Sequence, residues 1–168
     1  MKASRPVVAV VMGSDSDLAV MSETTRVLDE FGVAHEVQII SAHRTPDRCR
    51  SFARGAAGRG IKVIVAGAGK AAHLAGVIAA HTSLPVIGVP IDSSSLQGLD
   101  SLLSTVQMPP GIPVATMALG KAGARNAGIF AAQMLALGDP ELAGRIDQFK
   151  KDMASDVERK AEKLKDYR

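Results

Sequence analysis

The side chains best suited to chemistry lie in one short segment, Ser41-Ala-His-Arg-Thr-Pro46. His43 carries an imidazole, the side chain that both donates and accepts a proton near neutral pH. The neighbouring Arg44 offers the forked donor that phosphate prefers, and Ser41 adds a hydroxyl. The segment therefore predicts acid–base chemistry on a phosphorylated substrate, although a structural role for His43 stays open at this point.

A second polar segment, Gly13-Ser-Asp-Ser-Asp17, follows an apolar run and precedes a helical pattern. Ser14, Ser16 and Asp17 are residue types that cap helices, and the free N–H groups of a helix start favour an anion. The segment matches neither GxGxxG nor a Walker loop, so it does not support binding of a nucleoside di- or triphosphate. Helix capping alone is the alternative interpretation.

A third segment, Gly67-Ala-Gly-Lys-Ala-Ala-His73, is built mainly from small residues. Glycines leave room for backbone to approach a ligand closely, and either Lys70 or His73 could meet a carboxylate. The alternative is a tight strand-to-helix turn in which His73 only caps or packs.

Apolar runs alternating with helical patterns predict an α/β domain with a parallel sheet, in which ligands bind at the carboxyl ends of the strands. The three polar segments lie at those ends, so we expect them to form one cleft. We predict a single domain over residues 1–168, with a core at about 6–138 and a helical extension at about 140–168. The expected strands are 6–12, 33–40, 61–66, 85–90 and 112–118, and the expected helices are 18–31, 46–59, a short one toward His81, 122–137 and 141–168.

Composition excludes several classes of protein. The single cysteine, Cys49, excludes an internal disulfide, and neither His35 nor His81 has companions at metal-ligand spacing, so no metal site is expected. A net charge of +3 with four Phe, one Tyr and no Trp argues against nucleic-acid binding. Because no apolar run is long enough to span a membrane, we expect a cytoplasmic protein without membrane contact.

In their order and spacing, these segments resemble the class I 5-(carboxyamino)imidazole ribonucleotide mutases of de novo purine biosynthesis. The similarity covers about residues 7–149 and is carried by VVMGSDSD, SAHRTPD, VIVAGAGKAAHLAG, PVIGVP and GLDSLLSTVQMPPGIPVAT. It implies a three-layer α-β-α, flavodoxin-like domain that forms a homo-octamer and uses no metal or organic cofactor. It also implies functional coupling to the ATP-dependent synthetase that makes the substrate.

The resemblance further implies an isomerase that moves a carboxylate from the exocyclic nitrogen of the substrate to ring C4, through release and recapture of carbon dioxide. His43 matches the residue that protonates the departing nitrogen and later takes the C4 proton. Arg44 matches the phosphate ligand and Asp17 the ribose ligand. The predicted substrate-binding residues are Ser14, Ser16, Asp17, Ser41, Arg44, Gly69, Ala72 and His73.

Two residues depart from the family pattern GAGGAAHLPG, namely Lys70 and Ala75. Lys70 replaces a glycine, so a positive backbone φ there would be strained, and its charge either lies near the substrate carboxylate or points to solvent. Ala75 has a backbone N–H that proline lacks.

Three alternatives to the mutase remain. The related carboxylase joins free carbon dioxide to aminoimidazole ribonucleotide. It carries a loop resembling AGRSNxL where this chain has AGKAAHL, and it has Lys at the position of Arg44. A non-enzymatic nucleotide-binding module would need the phosphate loop but not His43. A flavin electron carrier is poorly supported by so few aromatic residues.

Overall fold

The computed structural model describes residues 5–165, and in them a five-stranded sheet is flanked by helices. The strands are β1 (Val8–Met12), β2 (His35–Ile39), β3 (Val63–Gly69), β4 (Val86–Ile91) and β5 (Ala115–Thr116). The helices are α1 (Leu18–Glu30), α2 (Pro46–Ala56), α3 (Leu74–Ala79), α4 (Leu99–Val106), α5 (Gly120–Ala136) and α6 (Pro140–Lys165). All strand pairs are parallel, in the order β2-β1-β3-β4-β5.

The central strand β1 shows why the domain has three layers. Every residue of β1 is buried, and alternate side chains point to opposite faces of the sheet. Val8, Val10 and Met12 pack with α1, α5 and the start of α6, whereas Ala9 and Val11 pack with α2 and α3. The predicted three-layer, flavodoxin-like α/β fold is thereby confirmed.

Helix α5 belongs to the core of this same domain. Its small residues let it pack closely against α1: Thr24 donates to the carbonyl of Ala124 at 2.7 Å, and a Cβ on Gly128 would lie 2.9 Å from the carbonyl oxygen of Thr24. The apolar segment 122–137 is therefore covered for most of its length within this domain, by α1 and the sheet.

Helix α4 was not predicted, because its pattern is the reverse of a normal surface helix. Leu99, Leu103 and Val106 are exposed, while Ser101 and Thr105 are buried. The two buried hydroxyls donate to backbone carbonyls, so their burial leaves no polar atom unsatisfied.

Two other strand boundaries differ from the prediction. The fifth strand was expected over 112–118 but pairs with β4 only at Ala115 and Thr116. Gly67 to Gly69, predicted as loop, continue β3 and pair with Val89, Pro90 and Ile91.

The predicted helix 141–168 is seen as α6, and its last three residues lie outside the described part of the chain. Within residues 5–165, no helix is long and apolar enough to cross a membrane.

Candidate active site

The three predicted segments meet in one cleft at the carboxyl ends of β1, β2 and β3. Its volume is about 530 Å³. It is lined by Gly13, Ser14, Ser16, Asp17, Ser41, Ala42, His43, Arg44, Ala68, Gly69, Lys70, Ala71, Leu74 and Ser93. Residues up to 80 positions apart in sequence, from Gly13 to Ser93, thus share one cavity. This follows from the parallel topology, which places the ends of successive strands at one edge of the sheet.

The first segment forms a capped turn that leads into α1. The hydroxyl of Ser14 accepts from the N–H of Ser16, and Oδ2 of Asp17 accepts from the N–H of Ser14 at 3.1 Å. The interpretation as a cap is therefore confirmed for the side chains of Ser14 and Asp17, and both residues line the cleft together with Ser16.

Asp17 is the buried acid of this cleft. Desolvation by burial raises the pKa of its carboxyl above the ordinary value of 3.8, and the Asp15 carboxylate raises it further. The N–H of Ser14 opposes this shift because it donates to the ionised form. Only 5% of Asp17 is exposed, so the charge is kept in the cleft at a cost in stability.

This shift predicts a pH-dependent gain in stability on replacing Asp17 by asparagine. Because the folded state holds the Asp17 proton more tightly than the unfolded state, stability is lost as pH rises from about 3.8 through the raised pKa. Asp17→Asn should therefore melt at a higher temperature than wild type at pH 7, and the gain should vanish near pH 3.8. Asp147→Asn, a change at an exposed residue of α6, is the control. Equal gains at both pH values would contradict the prediction.

The second segment is a turn stabilised by its own hydroxyls. Thr45 Oγ1 donates to the Ser41 carbonyl at 2.9 Å, and Ser41 Oγ accepts from the N–H of Arg44 at 3.1 Å. Pro46 then opens α2, as expected for a proline in a first helical turn. The turn projects His43 and Arg44 toward the cleft.

The Arg44 guanidinium is oriented by neutral groups. Nη2 donates to the carbonyl of Gly13 at 3.2 Å, and Nε lies 3.4 Å from Ser41 Oγ. Among the described residues, Arg44 forms no ion pair within 4.0 Å, and Asp47 is paired with Arg50 instead. A salt bridge from Arg44 to Asp47 or Asp17 would be a structural alternative to phosphate binding, and none is present within residues 5–165.

His43 is in direct contact with the third segment. Its Nε2 lies 2.8 Å from Nδ1 of His73, and the two rings meet edge to face with centroids 4.9 Å apart. One of these two nitrogens must carry the hydrogen and the other must accept it, so the contact requires complementary tautomers of the two rings. Both rings are exposed, and His43 also lines the cleft, where a bound substrate can reach it.

Glycine is required where β3 reaches the cleft. A Cβ on Gly67 would lie 2.2 Å from Met21 Sδ, and one on Gly69 would lie 1.9 Å from Ser93 Oγ. Lys70 follows with a φ of +57°, so this non-glycine residue adopts the strained positive φ that a glycine would adopt freely. Its side chain is exposed and lines the cleft.

Two predicted binding residues lie apart from the cavity lining. Ala72 is buried, and its N–H donates to Ser104 Oγ at 2.9 Å, so that N–H is not free for a substrate. His73 is exposed and contacts His43, but it does not line the cavity. The other predicted residues, Ser14, Ser16, Asp17, Ser41, His43, Arg44 and Gly69, all line the cleft.

Sequence reasoning missed two serines at this site. Ser93 lines the cleft beyond β4, and Ser104 on α4 holds the backbone at Ala72. Ser93 had a usable signal, because Asp92-Ser-Ser-Ser95 follows an apolar strand at the same sheet edge. Ser104 had none, since α4 itself was not predicted. Within the described residues no group of three or more His, Cys, Asp or Glu could hold a metal ion.

Comparisons with known proteins place these features in a family. A family model described as AIR carboxylase matches residues 7–156. An N5-carboxyaminoimidazole ribonucleotide mutase of Pyrococcus horikoshii is 55% identical over 166 residues, covering 99% of this chain and 93% of that protein. A phosphoribosylaminoimidazole carboxylase of Schizosaccharomyces pombe is 54% identical over 159 residues, which cover 95% of this chain but 28% of that protein. The crystal structure of Treponema denticola PurE matches with a TM-score of 0.86 and 28% identity, over 96% of this chain and 99% of that one.

Proposed function

The chain belongs to the AIR carboxylase family, and from this premise we propose that it is an isomerase of de novo purine biosynthesis. It converts 5-(carboxyamino)imidazole ribonucleotide to 5-amino-4-carboxyimidazole ribonucleotide. The observation that carries the proposal is the juxtaposition of His43 and Arg44 in the cleft where the three strand-end segments meet. Relatives that match nearly the whole chain carry the name of this mutase.

Phosphate binding is proposed for the side of the cleft where Arg44 lies. Arg44 is tied to the Gly13 carbonyl and to Ser41, which orients the guanidinium without neutralising it. A substrate phosphate there gains charge-assisted hydrogen bonds from Arg44 and a hydroxyl from Ser41 or Ser16. Asp17, buried beside Ser14, is the proposed acceptor for the ribose hydroxyls.

His43 is the proposed acid and base. As the bond between nitrogen and the carboxylate carbon breaks, protonated His43 gives its proton to the nitrogen and carbon dioxide is released. C4 then attacks carbon dioxide, a carbon–carbon bond forms, and neutral His43 takes the proton that C4 loses. The two steps restore His43 to its starting state, so no external acid, base or oxidant is consumed.

A direct carboxylase is the second candidate, because one relative carries that name. The chain retains AAHL after Lys70 and Arg after His43, which favours the mutase. The deciding assay supplies purified protein with either the carboxyamino substrate or aminoimidazole ribonucleotide plus bicarbonate, after subtraction of the rate without enzyme. We expect turnover of the carboxyamino substrate without added bicarbonate. Turnover of the second mixture alone would assign the carboxylase instead.

We propose further that the protein acts as a closed homo-oligomer, an octamer by its resemblance to the family. The support is the outward face of α4, where Leu99 is 54%, Leu103 47% and Val106 49% exposed while polar side chains are buried beneath. Such a helix gains by burying its apolar face against another copy. Cytoplasmic location, independence of cofactors, and coupling to the synthetase that makes the substrate stay predictions.

The assembly proposal predicts that charge on α4 disrupts the oligomer. Leu99→Glu combined with Leu103→Glu should give a smaller species in light scattering at micromolar concentration, because two carboxylates would be buried at the contact. Leu137→Glu, at a residue that is 91% exposed beyond the end of α5, is the matched control and should leave the mass unchanged. A wild-type protein that is a stable monomer would contradict the proposal.

A further inference from the structure

Lys70 is a strained residue placed at the wall of the cleft. Its φ of +57° lies in the left-handed region, which costs a residue with a Cβ about 1–2 kcal/mol and costs glycine almost nothing. Among residues 5–165 only Gln97 shares this conformation without being glycine. Strain of this kind persists where surrounding structure holds it, often at ligand sites.

The charges of the cleft are unbalanced. Its charged lining residues are Asp17, Arg44 and Lys70, so two permanent cations face one carboxylate whose ionisation burial opposes. Neither cation forms an ion pair with a carboxylate within 4.0 Å in the described part of the chain. The cleft is therefore suited to a ligand with more than one negative charge.

The two cations belong to different walls. Arg44 is fixed between the first and second segments by Gly13 and Ser41. Lys70 extends from the third segment, three residues before His73, which contacts His43. Arg44 is thus held in place by hydrogen bonds. Lys70 is exposed, on the same segment as the histidine that contacts His43.

We propose that Lys70 binds the carboxylate that the reaction transfers. This inference rests on the proposed function, whose substrate and product each carry a phosphate at one end and a carboxylate on the imidazole at the other. If the phosphate binds at Arg44, the remaining cation in the cleft lining is Lys70 on the third segment. The carboxylate of the imidazole is therefore expected to bind there. Lys70 thereby distinguishes carboxylated imidazole ribonucleotides from uncarboxylated ones.

The chemistry makes the consequence specific. Carbon dioxide is neutral, so a cation that binds the carboxylate stabilises substrate and product but not the intermediate between them. Removing that cation should weaken binding and raise KM and kcat together, with kcat/KM nearly unchanged, because the lost interaction belongs to the ground state and not to the transition state. A residue that acted on the proton transfers would lower kcat instead.

Binding measurements on four variants test the proposal. Lys70→Gln removes the charge and keeps a side chain, Lys70→Arg keeps the charge, Lys70→Gly also removes the strain, and Lys151→Gln on α6 is a surface control. Calorimetry would compare the carboxylated product with aminoimidazole ribonucleotide. We expect Lys70→Gln and Lys70→Gly to lose about three- to tenfold in affinity for the carboxylated ligand alone. Lys70→Arg should keep most of that affinity, and Lys151→Gln should match wild type.

Thermal unfolding supplies a second readout that separates strain from binding. Lys70→Gly should raise Tm by about 2–4 °C, since it relieves the left-handed backbone, whereas Lys70→Gln should not. Equal affinity of Lys70→Gln and wild type for the carboxylated product, or equal losses for both ligands, would overturn the assignment of Lys70. Absence of wild-type turnover would instead refute the proposed function.

Discussion

Replacing His43 with asparagine is expected to lower kcat by about 100- to 10,000-fold, the usual contribution of a general acid–base group. The amide of asparagine keeps polar atoms close to the backbone, but it is too short to reach His73 as His43 Nε2 does, and it cannot exchange a proton near neutral pH. Substrate binding should change little, because phosphate and ribose contacts are assigned to other residues. Steady-state kinetics and calorimetry on the same preparation would measure both effects.

The control for His43 is His81→Asn, since His81 lies outside the cleft lining and should behave as wild type. An unchanged melting temperature in His43→Asn would show that lost turnover is chemical, as expected for an exposed residue. If the variant retains more than about a tenth of wild-type turnover, the role of His43 as acid and base is wrong.

The second large effect is expected at Arg44. Arg44→Lys keeps the charge but loses the planar fork that now spans Gly13 and Ser41, so binding should weaken by about 1–3 kcal/mol. The loss should appear in kcat as well as KM, because the proposed phosphate contact would also position the imidazole beside His43. A substrate analogue without phosphate should bind wild type and variant almost equally.

Arg50→Lys is the matched control for Arg44. Arg50 lies on α2 and pairs with Asp47 at 2.8 Å, so its replacement leaves the cleft intact. If Arg44→Lys discriminates against the phosphate-free analogue as strongly as wild type does, Arg44 is not the phosphate ligand. Lost thermal stability with unchanged affinity would equally contradict the assignment.

Much of the fold and cleft could be predicted because the signals are local. Continuous apolar runs such as 7–12 mark strands buried on both faces, and the parallel topology then places the residues after each strand at one edge. This rule alone brought together Asp17, His43 and Lys70, which the structure places around one cavity.

What could not be predicted depends on contacts between distant residues. Helix α4 buries Ser101 and exposes Leu103, and the buried hydroxyl is satisfied by the carbonyl of Ile91, ten residues earlier in the chain. The same helix carries Ser104, whose hydroxyl accepts the hydrogen bond of the Ala72 N–H, so that N–H is not available to a substrate. His43 and His73 are 30 residues apart in the chain. Their contact depends on how two loops pack together, which the sequence of either loop does not reveal.

Transfer of an isotopic label tests the central claim most directly. Carboxyamino substrate labelled with ¹³C in its carboxylate would be converted in excess unlabelled bicarbonate, and the product analysed by mass spectrometry. A mutase that releases and recaptures carbon dioxide within the cleft should carry the label to C4 during the first turnovers, since exclusion of water prevents exchange. Product that contains only unlabelled carboxylate from the start would show uptake of free carbon dioxide and contradict the mutase.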